Sequence, residues 1–502
     1  MALYSGGIDM MTPKSFSIRT LHVSAECAPL AKAGGLADVA GSLPKALVGL
    51  DIDARVLMPA WPGVIERAAN MGYLNRERLG QISVAIDWRA WTADVYEAVV
   101  GGTHVYLLEQ PELFSNPYLY PERINETTAL PFVFLSYAPF ELPAVTGWKP
   151  QFLHSHDWTS ALVPAALRWH KYYSKFNGEY DTVFTIHNLA HQGLFSQDVI
   201  AGWGLSEECF SPLDTDSMEF YGQLNLMKGA IISAEALTTV SPSYSWDIQT
   251  QSGGFGLDGV VLEHKNKLRG IINGLDYDVW NPAGDKLINA AFSQSDMRGK
   301  EACKNALAKE AGFEDPSLPT VIFVGRLTEQ KGIDIMLDAA KRFLPYDINF
   351  VIIGSGNEMY NRKVTEFAAS YPKSVYAITR FSEKTAHMAY AGGDILLMPS
   401  LFEPCGLSQL IAFAYGTIPV ARATGGLADT VIDADGSADG NGFLFTDYSI
   451  EELSTALARA LGAKRDRERW KCIVKNAMTK DFSWDSSAKE YTKLYNDILT
   501  SD

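Results

Sequence analysis

Short apolar runs, rich in β-branched residues, recur along the chain, and stretches with helical periodicity separate them. In the first half these runs cover residues 20–24, 54–58, 104–108, 152–154, 182–186 and 237–240. After about residue 270 the pattern restarts, with runs at residues 320–324, 350–353, 375–378, 394–398 and 417–420. Because strands that alternate with helices form parallel sheets, the pattern predicts an α/β protein with two doubly wound domains.

The segment between the two series combines a Ser-Gly-Gly-Phe-Gly turn with a polar stretch at residues 263–269, which is typical of a crossing between domains. The end of the chain has a good N-cap residue, Ser483, followed by apolar side chains at helical spacing, so we expect a helix that returns to the first domain. The predicted organisation is an N-terminal extension (1–18), a first domain (19–262), a second domain (263–480) and this C-terminal segment (481–502).

The charge balance narrows the possible ligands. The 502 residues carry a net charge of −16, and no cluster of lysines and arginines resembles a nucleic-acid-binding arm. General electrostatics therefore repel a polyanion, and we expect no nucleic-acid partner. A phosphate-bearing ligand would have to be attracted by a few individually placed cations.

Cysteine usage and the N-terminus bear on location. The five cysteines are scattered and form no Cys-x-x-Cys pair, which favours a reducing compartment. The first 15 residues lack the charged start and apolar core of a secretory signal, and no run of 18 uninterrupted apolar residues follows. We expect a soluble cytoplasmic protein without a membrane partner, or a plastid protein if a transit peptide has been removed.

The string Gly-Gly-Leu-Ala-Asp occurs at residues 34–38 and again at 425–429. Each copy lies between a turn and a predicted helix, so each could offer bare backbone N–H groups to an anion at a helix N-terminus. Lys32 precedes the first copy and adds a cation. Two such loops suggest one ligand held from two sides, although an ordinary glycine turn beside a solvated lysine would give the same pattern.

Polar residues follow two strands of the second domain. Arg326 and Lys331 come after residues 320–324 and could clamp a diphosphate leaving group, or could form a solvated turn paired with Glu329. Glu403 lies one turn before a helix expected near Gly406, where a carboxylate is stabilised as the anion. It is then a hydrogen-bond acceptor rather than a proton donor, unless it is simply a helix cap.

The first domain contributes His-Ser-His-Asp-Trp at residues 154–158 and His-Asn-Leu-Ala-His-Gln-Gly at 187–193, both directly after strands. His154 and His156 project to the same side of a strand, as some metal ligands do. Neither they nor the scattered Asp-x-Asp pairs have an accompanying cluster of carboxylates or cysteines. The sequence therefore predicts chemistry without a metal, in which Arg326 and Lys331 take the place of a metal cation.

Five motifs, in this order, resemble those of bacterial glycogen synthases and plant-type starch synthases: Lys-Ala-Gly-Gly-Leu (32–36), His-Asp-Trp (156–158), Phe-Thr-Ile-His-Asn-Leu (184–189), Gly-Arg-Leu-Thr-Glu-Gln-Lys-Gly (325–332) and Phe-Glu-Pro-Cys-Gly-Leu (402–407). The resemblance extends from about residue 19 to the C-terminus. It implies two facing Rossmann-like domains, the GT-B fold, with an active-site cleft between them. It also implies transfer of glucose, with retention of configuration, from a nucleotide sugar to the non-reducing end of an α-1,4-glucan such as glycogen, starch or a malto-oligosaccharide.

The resemblance also implies roles for individual residues. Arg326 and Lys331 would hold the leaving phosphates, Glu403 the donor sugar, and His187 would lie near the anomeric carbon, with Asp157 contacting the glucose hydroxyls. The donor-binding residues would be Lys32, Gly34, Gly35, Asn188, Asn273, Phe381, Cys405, Gly406, Leu407, Thr424, Gly425 and Gly426, with Phe381 stacked on the adenine. Tyr118 and Trp158 would lie along the acceptor path. Ala33 replaces the threonine usual in the first motif, which removes one hydroxyl group.

ADP-glucose is the donor that the resemblance favours, with no metal or other cofactor, and the enzyme would be cytoplasmic and associated with its glucan. UDP-glucose remains the alternative donor. Two other functional classes stay open on the residues alone. Glu403 and Asp157 could be the acid and base of a glucan hydrolase, with a variant that uses His154 and His156 as metal ligands, or the chain could bind glucan without catalysing a reaction.

Overall fold

A computed structural model describes residues 18–75, 78–121, 123–380 and 382–500. Within these residues the first domain contains twelve strands: β1 (Ile18–Val23), β2 (Ile52–Pro59), β3 (Gly80–Ile86), β4 (Arg89–Val100), β5 (Thr103–Glu109), β6 (Phe152–His156), β7 (Asp181–Ile186), β8 (Leu194–Phe195), β9 (Glu219–Phe220), β10 (Gln223–Asn225), β11 (Ala236–Thr239) and β12 (Leu268–Gly270). Its α-helices are α1 (Gly35–Gly49), α2 (Val64–Asn70), α3 (Glu126–Thr146), α4 (Leu162–Trp169), α5 (Val199–Gly202), α6 (Leu226–Ser233), α7 (Pro242–Asp247) and α8 (Asp258–Glu263).

Nine of these strands form one sheet in the order β12-β11-β7-β6-β1-β2-β5-β4-β3. The strands from β12 to β5 run parallel, and β4 and β3 add an antiparallel hairpin at the edge. The parallel part confirms the alternation predicted from the sequence. The order reverses between β1 and β6, which is the position where doubly wound sheets open a crevice for ligands.

The first sheet extends beyond the boundary expected after residue 262. Strand β12 pairs in parallel with β11, so residues 268–270 belong to the first domain and the crossing lies later in the chain. The polar stretch at 263–269 concealed this strand because β12 lies at the sheet edge. Its three residues are only partly buried or exposed, and an edge strand needs no continuous apolar run.

One helix among the described residues, α3, is long and apolar enough to cross a membrane by length and composition alone. Within the fold, 61% of its most apolar window is buried. Phe132, Phe134, Leu135 and Tyr137 of α3 belong to the main hydrophobic core of the first domain. The helix therefore has the burial of a core helix.

In the part of the second domain that the structure describes there are six parallel strands: β13 (Thr320–Val324), β14 (Asn349–Ile353), β15 (Val375–Ile378), β16 (Ile395–Met398), β17 (Ile418–Arg422) and β18 (Phe443–Phe445). Their order is β15-β14-β13-β16-β17-β18, which is the 3-2-1-4-5-6 arrangement of a Rossmann fold. The helices are α9 (Arg298–Ala311), α10 (Ile333–Lys341), α11 (Glu358–Ser370), α12 (Glu383–Gly392), α13 (Ser408–Ala414), α14 (Gly425–Thr430), α15 (Ile450–Arg465), α16 (Arg467–Thr479) and α17 (Trp484–Leu499). The order reverses between β13 and β16.

Helix α17 crosses back and packs on the first domain. Its apolar face, which includes Trp484, Tyr491 and Tyr495, shares a hydrophobic cluster with Leu43 of α1 and Phe152 of β6. This face follows the helical spacing of apolar residues in the sequence. The last helix of the chain therefore completes the hydrophobic packing around the first sheet.

The chain passes between the domains twice, and the two crossings run side by side. The Leu275 N–H donates to the Phe482 carbonyl at 2.7 Å, and Leu275 forms a parallel bridge with Ser483. Gly274 allows this approach, because a Cβ atom there would lie 2.5 Å from the Trp484 Cα atom.

Candidate active site

The carboxyl ends of the two parallel sheets face each other, and the loops that leave them are in contact. Ser241, directly after β11, donates through Oγ to the Pro404 carbonyl at 2.7 Å. Asp429 accepts hydrogen bonds from the Ser243 N–H at 2.8 Å and from the Ser243 hydroxyl at 2.7 Å. The Phe255 and Phe402 rings meet edge to face, with 5.3 Å between their centroids. The loops of the two domains are therefore in direct contact beside the cleft.

Lys331 and Glu403 form a buried ion pair at the reversal point of the second sheet. Lys331 follows β13 and Glu403 follows β16, and their side chains are 19% and 6% exposed. The Ser400 hydroxyl donates to the same carboxylate oxygen, Oε2, at 3.0 Å. Lys331 therefore pairs with Glu403, and the alternative of a solvated turn paired with Glu329 does not describe its contact.

Glu403 lies just before a helix, as the sequence predicts. Helix α13 begins at Ser408, two residues after Gly406, which adopts φ +74°. The Glu403 carboxylate accepts hydrogen bonds from the Lys331 ammonium and the Ser400 hydroxyl. Glu403 is therefore placed as a hydrogen-bond acceptor.

Arg326 stands beside this pair with a freer side chain. It is exposed, and its Nη2 atom donates to Gln330 Oε1 at 3.2 Å. Its charge reaches the first domain, because Arg326 contributes, after burial, to lowering the pKa of His191. The structure therefore places Arg326 at the mouth of the cleft with donors available to an anion.

The second Gly-Gly-Leu-Ala-Asp copy does not present bare N–H groups. The Gly425 N–H donates to Asp247 Oδ2 at 3.1 Å, and the Gly426 N–H to the Glu403 and Pro404 carbonyls, each at 3.1 Å. A Cβ atom on Gly425, which has φ +45°, would lie 2.0 Å from the Glu403 carbonyl oxygen. The glycines are required because the Glu403 loop packs directly on the start of α14, and Thr424 is its N-cap residue.

In the first Gly-Gly-Leu-Ala-Asp copy the Gly34 N–H group is also bonded, but the packing around this glycine is looser than around Gly425. The N–H groups of Ala33 and Gly34 both donate to Glu26 Oε2, the latter at 3.0 Å, while the Tyr120 hydroxyl donates to Oε1 at 3.0 Å. Burial raises the pKa of the Glu26 carboxyl. A Cβ atom on Gly34 would find only an ordinary contact, 3.6 Å from Glu26 Oε1. A methyl group at residue 34 would therefore fit without displacing a neighbouring atom.

The neighbours of the first loop connect it to both domains. Lys32 Nζ pairs with Asp38 Oδ1 at 2.6 Å, and its side chain is 46% exposed. A Cβ atom on Gly35 would lie 3.5 Å from the Leu407 Cδ1 atom of the second domain. Lys32, Gly35 and Leu407 therefore lie around one cleft.

Asp157 organises the turn that carries His187. Its Oδ1 atom accepts the His187 N–H at 2.7 Å and the Asn188 N–H at 3.3 Å. Burial raises the pKa of Asp157 to about 7. Asp157 also has φ +55°, a strained conformation of the kind that clusters at functional sites. The Asp157 side chain is thus used to hold the backbone of the adjacent strand end.

A chain of buried histidines supports His187. His156 Nδ1 lies 3.0 Å from His187 Nε2, and His156 Nε2 lies 3.2 Å from His22 Nδ1. His154 bonds the hydroxyl groups of Tyr495 and Thr185 at 2.8 Å and 2.6 Å. Burial lowers the pKa of all four histidines, so the rings are neutral.

Within the described ranges, one group of side chains has ligand atoms close enough together to hold a metal ion: His22, His154 and His156. Five of their six ring nitrogens already have hydrogen-bond partners in the network above, and His22 Nε2 is the exception. The bonding favours a hydrogen-bond network over a set of metal ligands.

Asn273 and Cys405 lie together under the cleft. The Asn273 side chain is 6% exposed, and its Oδ1 atom has no hydrogen-bond partner among the described residues. Cys405 is 5% exposed, and burial raises the pKa of its thiol to about 12. Asn273 therefore offers a buried acceptor beside an inert thiol.

The two expected acceptor contacts differ in exposure. Tyr118 is 76% exposed, as a stacking platform requires, whereas Trp158 is 5% exposed. The Trp158 ring packs against Phe132, and its Cε3 atom would lie 2.8 Å from a Cβ atom on Gly193. The Trp158 ring is thus held by packing within the first domain, and the acceptor contact expected for it stays a prediction. Phe381, the expected adenine contact, lies outside the described residues.

Sequence reasoning missed the two carboxylates that cap the glycine loops, Glu26 and Asp247. Glu26 follows β1 by three residues, so the rule that polar residues after a strand line the site would have found it. Asp247 ends helix α7 and carries no such signal, because its contact with Gly425 depends on how the domains meet.

Two family models match the chain. One, described as "Starch synthase catalytic domain", matches residues 19–263, and one described as "Glycosyl transferases group 1" matches residues 306–477. The chain is 41% identical to "Glycogen synthase 2" of Geobacter metallireducens, over 95% of this chain and 98% of that protein. It is 37% identical to a "Glycogen synthase" of Bacillus cereus, over 95% and 99%.

Among solved structures, the catalytic domain of Starch Synthase IV from Arabidopsis thaliana, bound to ADP and acarbose, superposes with a TM-score of 0.89. It is 34% identical, and the match covers 96% of this chain and 99% of that one. Sucrose-phosphate synthase from Thermosynechococcus elongatus has a TM-score of 0.61 at 18% identity, with 97% and 100% covered, and shares the fold.

Proposed function

This chain belongs to the starch synthase and glycogen synthase family of glycosyltransferases, and on that premise we propose that it transfers glucose from ADP-glucose to the non-reducing end of an α-1,4-glucan, with retention of configuration. The observation that carries the proposal is the Lys331–Glu403 pair, which lies in the cleft where the loops of the two domains meet. The donor would lie in that cleft, and glycogen, starch or a malto-oligosaccharide would supply the acceptor hydroxyl.

The cations around the cleft fit a diphosphate leaving group. Arg326, Lys331 and Lys32 bring positive charge to a chain whose net charge is −16. Negative charge grows on the diphosphate as the bond to the sugar breaks, and preorganised cations stabilise that charge without reorganising. Arg326 offers a planar fork, while Lys331 is held in place by Glu403.

The other groups would position the sugar. The Glu403 carboxylate and the unpartnered Asn273 Oδ1 atom can accept hydrogen bonds from glucose hydroxyls. The Asp157 carboxyl holds the backbone N–H groups of His187 and Asn188, which fixes both residues at the end of β7. The acceptor O4 atom would then attack the anomeric carbon from the face that the diphosphate leaves.

The ion pair also separates this proposal from a glucan hydrolase. A hydrolase that used Glu403 with Asp157 would need one of the two carboxyls to donate a proton to the leaving sugar. The Glu403 Oε2 atom already accepts hydrogen bonds from the Lys331 ammonium and the Ser400 hydroxyl. Asp157 Oδ1 accepts the His187 and Asn188 N–H groups, so both carboxyls are engaged as acceptors. Transfer from an activated donor, whose diphosphate leaves readily, does not require that step.

ADP-glucose is supported as donor by the solved relative that was bound to ADP. The test is incorporation of labelled glucose into glycogen from ADP-glucose and from UDP-glucose, measured side by side, with glycogen alone as the control. We expect incorporation from ADP-glucose and no release of sugar from glycogen alone. Faster incorporation from UDP-glucose would contradict the donor, and sugar release without any donor would favour the hydrolase.

We further propose that the reaction needs no metal ion, because Arg326 and Lys331 supply the charge. Dialysis against EDTA, followed by the same assay with and without added Mg²⁺, tests this directly. Equal rates are expected, and restoration of a lost rate by Mg²⁺ would contradict the proposal. We also place the protein in the cytoplasm, where its five free cysteines remain reduced.

A further inference from the structure

The second domain contains a cavity of about 690 Å³ at the amino ends of its strands, opposite the cleft. Asp394 and Gly416, which line it, lie one and two residues before β16 and β17, whereas the loops of the candidate active site follow strands of this sheet. Helices α9 and α16 and the end of α15 form the walls. The cavity is therefore separate from the cleft between the domains.

Five lysines line this cavity, and they form two groups. Lys304 and Lys464 lie at its inner end, where each donates to one oxygen of the buried Asp394 carboxylate at 2.8 Å. Each ammonium group has three N–H donors, so both keep donors beyond Asp394. Lys471 and Lys475 lie one turn apart on α16 with exposed side chains at the rim.

The fifth, Lys300, is turned into the protein. Its Nζ atom contacts the Tyr415 carbonyl at 2.8 Å and the Thr417 hydroxyl at 2.9 Å. Burial lowers the pKa of Lys300 to about 7. Lys300 is therefore used inside the protein, and four lysines remain to face the cavity.

The acidic groups do not balance the lysines. Asp394 and Glu301 are the acidic residues that line the cavity, against five lysines. Lys471 also pairs with Glu468 at 2.8 Å, but both side chains are more than 70% exposed, so that pair is weak. A positive cavity in a chain of net charge −16 favours an anionic occupant.

One wall of the cavity is apolar. Trp470, Met297 and Val474 contribute to it, and Lys464 Nζ lies 4.9 Å from the centroid of the Trp470 ring. Trp470 is partly exposed, so part of its surface remains open to a ligand. The cavity therefore combines cations at two depths with a flat apolar surface, whereas inorganic phosphate would use the cations alone.

We propose that this cavity binds a small phosphorylated organic molecule, with its phosphate held by Lys464, Lys471 and Lys475 and its carbon skeleton packed on Trp470. The volume suits a ligand of nucleotide or sugar bisphosphate size. This site takes no part in the transfer reaction, since it lies at the amino ends of the strands and Glu403 lies beyond their carboxyl ends.

The proposal is tested by isothermal titration calorimetry of the full chain with adenosine monophosphate, fructose 1,6-bisphosphate and inorganic phosphate. Lys471→Ala/Lys475→Ala is the test variant, since both side chains are exposed and their loss should not affect folding. Lys489→Ala/Lys493→Ala is the matched control, because these exposed lysines have the same spacing on α17. Trp470→Ala tests the apolar wall.

We expect at least one organic phosphate to bind, and the Lys471/Lys475 double variant to weaken its binding about tenfold or more, as for loss of charged hydrogen bonds. The control should bind like the wild type, and Trp470→Ala should weaken the organic probes but not inorganic phosphate. The proposal is overturned if no organic phosphate binds, or if binding is equal in the double variant and the wild type, which would assign it to the cleft. If only inorganic phosphate binds, the proposal that the ligand is an organic molecule is wrong.

Discussion

The Lys331 ammonium and the Glu403 carboxylate are paired across the two strands where the second sheet reverses its order. The pair joins a residue expected to hold the leaving phosphates to one expected to hold the sugar. Each side chain therefore fixes the position of the other before any donor arrives, which is the preorganisation that charge-stabilising sites need.

Lys331→Ala should lower kcat for glucose transfer on the order of 10²-fold, since it removes a preorganised cation and leaves the Glu403 carboxylate without its ammonium partner. Lys341→Ala provides the control, because Lys341 is an exposed lysine on α10 with a surface ion pair. Steady-state rates with donor and glycogen measure the effect. A rate for Lys331→Ala within about twofold of the control would refute the assignment of Lys331.

Asp157→Asn should change how stability depends on pH. The pKa of Asp157 is raised from 3.8 to about 7, so between these values the folded protein keeps a proton that the unfolded chain has released. Stability from this group is therefore lost as pH rises, by about 1.4 kcal/mol per pH unit at most. Asparagine carries no such proton, tolerates positive φ and still accepts the His187 N–H.

Urea unfolding of both proteins at several pH values measures this effect as a difference, because their other titrating groups are shared. The stability of Asp157→Asn relative to the wild type should increase from about pH 4 to about pH 7 and then level off. A difference that stays constant over that range would show that the Asp157 pKa is not raised.

Gly425→Ala should destabilise the fold, whereas Gly34→Ala should leave folding unchanged and act on donor binding. Alanine at residue 425 would clash with the Glu403 carbonyl at a left-handed position, so we expect a large loss of stability. Alanine at residue 34 meets only an ordinary contact, so the protein should fold normally, with a raised donor KM if Gly34 faces the diphosphate.

Gly462→Ala in α15 is the control for both, because a Cβ atom there meets nothing within 4 Å and should stabilise the helix by about 0.5–1 kcal/mol. Thermal melting and donor titrations separate the two effects. An unchanged donor KM in a folded Gly34→Ala protein would remove Gly34 from the donor site.

His156→Leu should lower kcat by about tenfold or more with little change in donor KM, since the His187 ring loses the partner that orients it. His156→Asn, which restores a hydrogen-bonding side chain, should recover part of the rate. His154→Leu is the matched control, because His154 is equally buried on β6 but bonds Thr185 and Tyr495 instead. If His154→Leu lowers kcat as much as His156→Leu does, the effect is general destabilisation.

The strands of both sheets were predictable because parallel strands are buried on both faces and read as short apolar runs. The antiparallel hairpin of β3 and β4 was not, since its buried positions are interrupted by exposed or partly buried ones and do not form a continuous apolar run. Strand β12, beyond the boundary expected after residue 262, was not predictable for a related reason, because it is a short, partly exposed edge strand.

Within the site, Lys331 and Glu403 could be inferred from their places after strands, but their pairing could not, because 72 residues separate them in the chain. The glycine loops show the limit more clearly. Their sequences are identical, yet Gly425 is required by the Glu403 loop and Gly34 is not, and only the tertiary environment distinguishes them. The burial of Trp158 could not be predicted either, because an aromatic residue beside a site motif has no sequence signal for burial.

The side-by-side crossings at Leu275 and Ser483 join the two domains by a double tether. A single connecting strand allows bending and twisting about several axes, whereas we expect two strands joined by a backbone hydrogen bond to resist twisting more than bending. A change in the angle between the domains would then act on both crossings together, and the contact between Ser243 and Asp429 would re-form with the same pairing each time the domains meet.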